Sequence, residues 1–302
     1  MKKKLAFVLG SGGSHGAMQV GALRALLEAG YQPDLVTGSS IGAANGAFLA
    51  VHGYTPLGIQ KLEQVWRTTV DQDLLPTNFW RQTMRAFFTR SKGYSQPRIR
   101  EFMIANGLPP DLRFKDLQDV MFYPVAADLN ASCPVIFGLD PEESVLESVF
   151  ASITLPPWIA PAKINGRYLM DGGAVSNLPI EAALLQGATE IIALDLFDPN
   201  ELTISSNGVG DFFLKLDKTI ENRQAQLEME LAEARGVLVR RICLTGEKPV
   251  PFWDFRYTVE LIERGYRLAQ QTMAAWVADS RLSWWQRIGI RAIIEELLEV
   301  WD

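Results

Sequence analysis

Two residues in this chain stand where they could carry acyl-transfer chemistry. One is Ser40, inside the run Gly38, Ser39, Ser40, Ile41, Gly42, and the other is Asp171, followed by Gly172 and Gly173. A serine hydroxyl is a weak nucleophile and attacks a carbonyl only beside a base that takes its proton. The sequence holds 2 histidines, His15 and His52, as candidates for that base. His52 lies 12 residues beyond Ser40 in what reads as the same helix. At roughly 1.5 Å per residue it is about 18 Å away and out of reach. His15 is not excluded by distance, but it precedes the serine, against the Ser, Asp/Glu, His order of the α/β-hydrolase triad. A carboxylate is then the simplest base. Held at hydrogen-bond distance in a glycine-lined corner, Asp171 can accept the proton directly.

Those residues need elements to hold them. Residues 34–37 read as a short strand, and small and apolar residues recur at helical spacing from Ile41 through Ala43, Ala44, Ala47 and Leu49. GxSxG therefore falls on a strand-to-helix turn sharp enough to need flanking residues without side chains. At a helix N-terminus, free backbone N–H groups favour the negative charge that develops during acyl transfer. The same five residues also suit a serine that merely caps a helix. A second glycine turn, residues 10–16 (GSGGSHG), follows the apolar strand 4–9 and precedes a helix over 17–29 with Val20, Leu23, Leu26 and Leu27 on one face. Backbone N–H groups at such a turn bind an anion, either a phosphate or an oxyanion. The dinucleotide fingerprint fails because His15 stands where GxGxxG needs glycine, and the GK[ST] ending of a P-loop is absent. Gly30 and Pro33 end the helix and return the chain to the next strand, so the first two strands should be parallel neighbours.

Further along, helices are expected over residues 57–70, 97–105, 143–152 and 180–186, and strands over 120–128, 134–138 and 190–196. An Asn165-Gly166 hairpin turn would deliver Asp171 to its corner. Residues 74–93 place Trp80, Met84, Phe87 and Phe88 at helical spacing beside Arg81, Arg85, Arg90 and Lys92. That is either a basic element touching a lipid interface or a stripe facing the core. The polar, glycine-containing connection 200–210 marks a boundary. Beyond it come helices over 211–234 and 257–278, a strand over 237–244 and a terminal helix reaching Trp301. In this last helix Ile290, Ile293, Ile294, Leu297, Leu298 and Trp301 face away from Glu295, Glu296 and Glu299. That stripe should dock on its own domain or on a second copy of the chain, as a homo-oligomer.

Composition narrows the classes. With 302 residues, 48% of them hydrophobic and 21% charged, the chain can bury one large core or two modest ones. A net charge of -6 supplies no basic excess to neutralise phosphates, which argues against nucleic acid. The apolar run at residues 5–9 is too short for a signal peptide, and no run approaches the roughly 20 residues of a membrane span. A cytoplasmic protein is the expectation. Cys133 and Cys243 do not suggest a disulfide framework.

In this order, a glycine loop, GxSxG and then DGG with no usable histidine, the chain resembles the patatin-like phospholipase family, whose members use a Ser–Asp dyad. The family's loop, GGGxRG or GGGxKG, falls on residues 11–16. Gly12, Gly13 and Gly16 match, Ser11 replaces a glycine and His15 replaces the basic residue. Ala151, Ser152 and Pro156 ahead of the hairpin, and Asn177 and Pro179 after it, are similar too. The resemblance spans roughly residues 5–200 and implies a three-layer α/β/α domain on a largely parallel sheet. A mostly helical region, 201–302, would pack on it. It implies Ser40 as nucleophile, Asp171 as base, and an oxyanion hole from the N–H groups of Gly12 and Gly13, with Ile41 adding a donor. A lipid or acyl-ester substrate, hydrolysis of the phospholipase A type and peripheral membrane contact follow, with no metal or organic cofactor. His15 in place of a permanent cation bears on affinity for anionic head groups, not on acyl chemistry. The alternative from another class is a non-catalytic anion- or lipid-binding module on the same fold.

Overall fold

A computed structural model describes residues 3–70, 96–156, 159–197, 209–248 and 250–299, with backbone alone at 96, 209–211, 213, 214, 217 and 279–299. The aromatic and basic stretch 74–93 and most of the connection 200–210 lie outside the described residues. So do the side chains of the stripe from Ile290 to Trp301. In chain order the strands are β1 (Leu5–Leu9), β2 (Leu35–Ser39), β3 (Met121–Asp128), β4 (Cys133–Ile136), β5 (Ala162–Ile164), β6 (Arg167–Asp171), β7 (Glu190–Asp195) and β8 (Leu238–Cys243). The described helices are α1 (Gly16–Glu28), α2 (Ile41–His52), α3 (Pro56–Thr69), α4 (Gln96–Ala105), α5 (Val145–Ile153), α6 (Ile180–Leu185), α7 (Val209–Ala234) and α8 (Thr258–Glu299).

The β1 sequence LAFVL is apolar without alternation because both of its faces are covered. Phe7 and Leu9 enter one hydrophobic cluster and Ala6 and Val8 the other, as the two-residue period of a strand requires. The first cluster packs α1, α2, α3, α5 and the start of α8 on one face of the sheet. The second packs α6 and α7 on the opposite face, completing three α/β/α layers. Strands run in the order β5-β6-β3-β2-β1-β7-β8, with β4 also paired to β3. The pairs β3/β2, β2/β1, β1/β7 and β7/β8 are parallel, so the first two strands are parallel neighbours as expected. Antiparallel β4, β5 and β6 finish one edge. The chain leaves β1 towards β2 and later returns to β1's other side through β7. In open α/β sheets that reversal opens a crevice at the carboxyl ends of the strands.

Helix α1 is apolar nearly all round because it is buried between the sheet and α8. A Cβ on Gly21 would lie 1.9 Å from the Ile262 carbonyl oxygen, and one on Gly265 would lie 1.9 Å from that of Met18, so the two backbones touch. Helix α8 is one element of 42 residues where two were expected. The stretch 279–283 contains neither glycine nor proline, so nothing there interrupts the hydrogen-bond ladder. Among the described residues, no helix is long and apolar enough to cross a membrane.

Candidate active site

Ser40 stands between β2 and α2 with φ 53° and ψ −123°, a backbone state rare for a residue with a Cβ. The turn is tight on both sides. A Cβ on Gly38 would lie 2.5 Å from the Gly42 backbone, and one on Gly42 would lie 2.1 Å from the Leu9 carbonyl oxygen. These approaches admit only glycine and press the elbow against the end of β1. Ser40 occupies the N-cap position of α2, yet its side chain makes no capping bond. Its hydroxyl instead donates to Asp171 Oδ2 at 2.5 Å. The plain-cap reading of the GxSxG run is thereby displaced.

Asp171 reaches this point through the hairpin. Asn165 and Gly166 have φ of 50° and 78°, as a two-residue turn with both central residues left-handed requires, and β6 then pairs Asp171 with Ala126 of β3. The Asp171 N–H donates to the Thr154 carbonyl at 2.7 Å. Its Oδ1 accepts from the Gly173 N–H at 2.8 Å, leaving Oδ2 aimed at the serine. Ser152 ties the two halves together, accepting from the Ser40 N–H at 3.0 Å and donating to the Val125 carbonyl at 2.6 Å.

The glycine loop joins the same corner. Ser11 N–H donates to the Asn177 carbonyl at 3.0 Å, tying the loop to the stretch of chain beyond DGG. That bond commits the one N–H by which Ser11 could have replaced the family's glycine as a donor. The N–H groups of Gly12, Gly13 and Ile41 have no hydrogen-bond acceptor among the described residues. Exposure follows the same pattern. From Ala6 to Leu26 every residue is buried except Gly12, Gly13 and Arg24, and from Leu35 to Ala50 every residue except Ser40, Ile41 and Ala44. Apart from Arg24 and Ala44, the less buried positions are the ones that carry the hydroxyl and the free donors.

His52 is far from this corner, at the last turn of α2, packed against Phe48 with ring centroids 4.2 Å apart and planes tilted by 38°, and with its Nε2 3.3 Å from the Asn106 carbonyl. His15 is buried at the start of α1.

Three supports carried no signal that the motifs disclose. Buried Asn45 accepts from Trp66 Nε1–H at 2.8 Å and donates to Gln19 Oε1 at 2.9 Å. Gln19 Nε2–H in turn donates to the Gly10 carbonyl at 2.8 Å, so this amide chain anchors the glycine loop to α2 and α3. Polar residues inside the apolar runs GAMQVGAL and GAANGAFLA were its only trace. From the C-terminal part, the Phe252 carbonyl accepts from Ser14 N–H at 2.7 Å. Helix α7 grips the chain after Asp171: Gln224 Nε2–H donates to the Ala174 carbonyl at 2.8 Å, and Glu228 accepts from Ser176 Oγ–H at 2.5 Å.

A family model described as patatin-like phospholipase matches residues 7–184, a span that holds the glycine loop, the elbow and the DGG corner. The chain belongs to the patatin-like phospholipase family. It is 32% identical over 206 residues to patatin-like phospholipase domain-containing protein 6 of Mus musculus, covering 68% of this chain and 14% of that protein. It is 28% identical over 218 residues to lysophospholipase nte1 of Aspergillus terreus, covering 69% of this chain and 13% of that one. The chain therefore spans about a seventh of the length of these relatives. Among solved structures, VipD from Legionella pneumophila aligns with 91% of this chain and 67% of its own at a TM-score of 0.46 and 14% identity.

Proposed function

We propose that the protein is a serine hydrolase of lipid acyl esters that works with Ser40 and Asp171. The observation that carries this reading is the 2.5 Å hydrogen bond from Ser40 Oγ to Asp171 Oδ2. Ser40 Oγ attacks the ester carbonyl carbon while its proton passes to Asp171. The oxyanion so formed is held by the N–H groups of Gly12, Gly13 and Ile41, at the positive end of the α2 dipole. As the tetrahedral intermediate collapses, the carbon–alkoxide bond breaks and Asp171 returns the proton to the leaving oxygen, giving the free alcohol and an acyl-serine. Water then attacks the acyl carbon with Asp171 again as base, releasing the carboxylic acid and restoring Ser40. Family membership and the lysophospholipase name of one relative support a lipid acyl ester as substrate.

Fluorophosphonate labelling tests the assignment. The wild-type chain should be modified at Ser40, and Ser40→Ala and Asp171→Asn should abolish or strongly slow modification. A folded wild-type protein whose Ser40 stays unmodified would instead be the anion- or lipid-binding module.

A further inference from the structure

Asp171 is followed by a loop with little secondary structure of its own, a single 3-10 turn over Gly172–Ala174, and that loop is held from outside by α7. Gln224 and Glu228 are one helical turn apart and lie near one another on a helix surface. Gln224 holds the Ala174 carbonyl. Glu228 makes two contacts: Oε1 accepts from Ser176 Oγ–H at 2.5 Å and Oε2 accepts from Glu181 N–H at 2.8 Å, at the start of α6. Ser176 passes the constraint on, because its carbonyl accepts from Ser39 Oγ–H at 2.6 Å, and Ser39 is the residue before the nucleophile. Glu228, Ser176 and Ser39 are all buried. Glu228 thus lies at the end of a dry relay that meets both sides of the Ser40–Asp171 pair. Residues 209–234 lie outside the 7–184 span of the family match, so the relay joins the family domain to a helix beyond it.

We propose that Glu228 is a positioning residue: through Ser176 and Ser39 it sets the Asp171 loop against the Ser40 elbow. This rests on the Ser40–Asp171 reading of the site. Both partners of the carboxylate are donors, so the geometry calls for a group with two accepting oxygens. Glutamine keeps the shape and the acceptor for Glu181 N–H but presents a donor to Ser176 Oγ, which must then accept instead of donate, while alanine meets neither partner.

The experiment compares wild type, Glu228→Ala and Glu228→Gln by two readouts: kcat and KM per serine titrated with fluorophosphonate, and amide hydrogen exchange across residues 172–177. Misplacing a reacting group by about 1 Å costs on the order of a hundredfold. Glu228→Ala should therefore lower kcat by about 10- to 100-fold with KM changed less than about threefold, and Glu228→Gln should fall between it and wild type. Exchange at 172–177 should quicken in the same order while exchange in α1 and α2 stays unchanged. If Glu228→Ala does not fold, Glu228→Gln carries the test by the same two measurements. Wild-type kcat and wild-type exchange in the folded variants would overturn the proposal, as would a uniform rise in exchange with kcat per titrated serine unchanged, which is the mark of a purely structural residue. An unlabelled wild-type Ser40 would sink the hydrolase reading, and the exchange measurement would still report whether Glu228 holds the loop.

Discussion

The backbone of Ser40, at φ 53° and ψ −123°, suits glycine and costs a residue with a Cβ about 1–3 kcal/mol. Two substitutions separate that cost from the hydrogen bond to Asp171. Ser40→Ala removes the hydroxyl but keeps the Cβ and the strain, whereas Ser40→Gly removes both. Subtracting one variant from the other cancels the hydrogen bond. The remainder is the strain relief less the extra freedom glycine brings to the unfolded chain, about 0.5–1 kcal/mol. Ser40→Gly should therefore be more stable than Ser40→Ala by about 1 kcal/mol, with about 2.5 kcal/mol as the ceiling. For a chain of this size that is about 2 °C in Tm per kcal/mol. Urea unfolding of the two variants, followed by circular dichroism, reads the difference directly if their m-values agree. An alanine variant more stable than the glycine variant would refute the idea that this elbow stores strain.

Ser40→Ala and Asp171→Asn should each lower ester hydrolysis by about a thousandfold or more, and the double variant should be no worse than either, because the pair acts as a unit; ordinary kcat/KM in folded Asp171→Asn would remove the dyad. Asn45→Leu should destabilise the protein by about 2–6 kcal/mol, since it orphans the buried Trp66 Nε1–H and Gln19 Oε1 at about 1–3 kcal/mol each, and a loss under about 1 kcal/mol in urea unfolding would show the network to be slack. Burial pushes the Glu228 carboxyl from its ordinary 4.5 up to about 7 against the pull of its bonds to Ser176 and Glu181 N–H, with the Glu181 side chain adding an upward push. A folded pKa above the unfolded one means that the native state binds more protons between the two values. The stabilisation is then fully present below pH 4.5 and lost as pH rises through about 7. It amounts to at most about 3 kcal/mol. Glu228→Gln carries no such proton, so its stability relative to wild type should improve between pH 5 and pH 8; a gap that stays constant across that range would contradict the assignment.

Much of the candidate site was legible because local backbone geometry constrains neighbours in sequence. A strained elbow needs Gly38 and Gly42 beside Ser40, and a hairpin needs Asn165 and Gly166 ahead of Asp171, so the candidate residues carry their own local signatures. Among the described residues the expected helices and strands begin within 2 residues of the observed ones, except the terminal helix, which is part of α8. The supports left no such trace. Ser176 and Glu228 are 52 positions apart, and nothing near either residue encodes the other. Residues 238–243, placed beyond the supposed boundary, pair as β8 with β7 in the central sheet, because strand pairing is decided by the whole sheet and not by local composition. The helices expected over 257–278 and on to Trp301 are one continuous α8, because no glycine or proline stands at 279–283 to interrupt it.

The decisive distinction at Ser40 is the direction of one hydrogen bond. A capping serine accepts from the N–H of the second or third helical residue, which would use its oxygen as an acceptor and consume a donor at the start of α2. Here the hydroxyl donates to Asp171, while the Ser40 carbonyl takes up the Ala43 and Ala44 N–H groups at 2.9 and 3.2 Å. The Ile41 and Gly42 N–H groups are left without acceptors among the described residues. Capping the helix and donating to Asp171 are different uses of the same side chain, and the positive-φ backbone favours the second by turning the hydroxyl towards the carboxylate. The strain at Ser40 and the free donors beside it are therefore two results of one geometry. A residue relaxed into an ordinary N-cap would give up both the hydrogen bond to Asp171 and the unoccupied positive end of the helix.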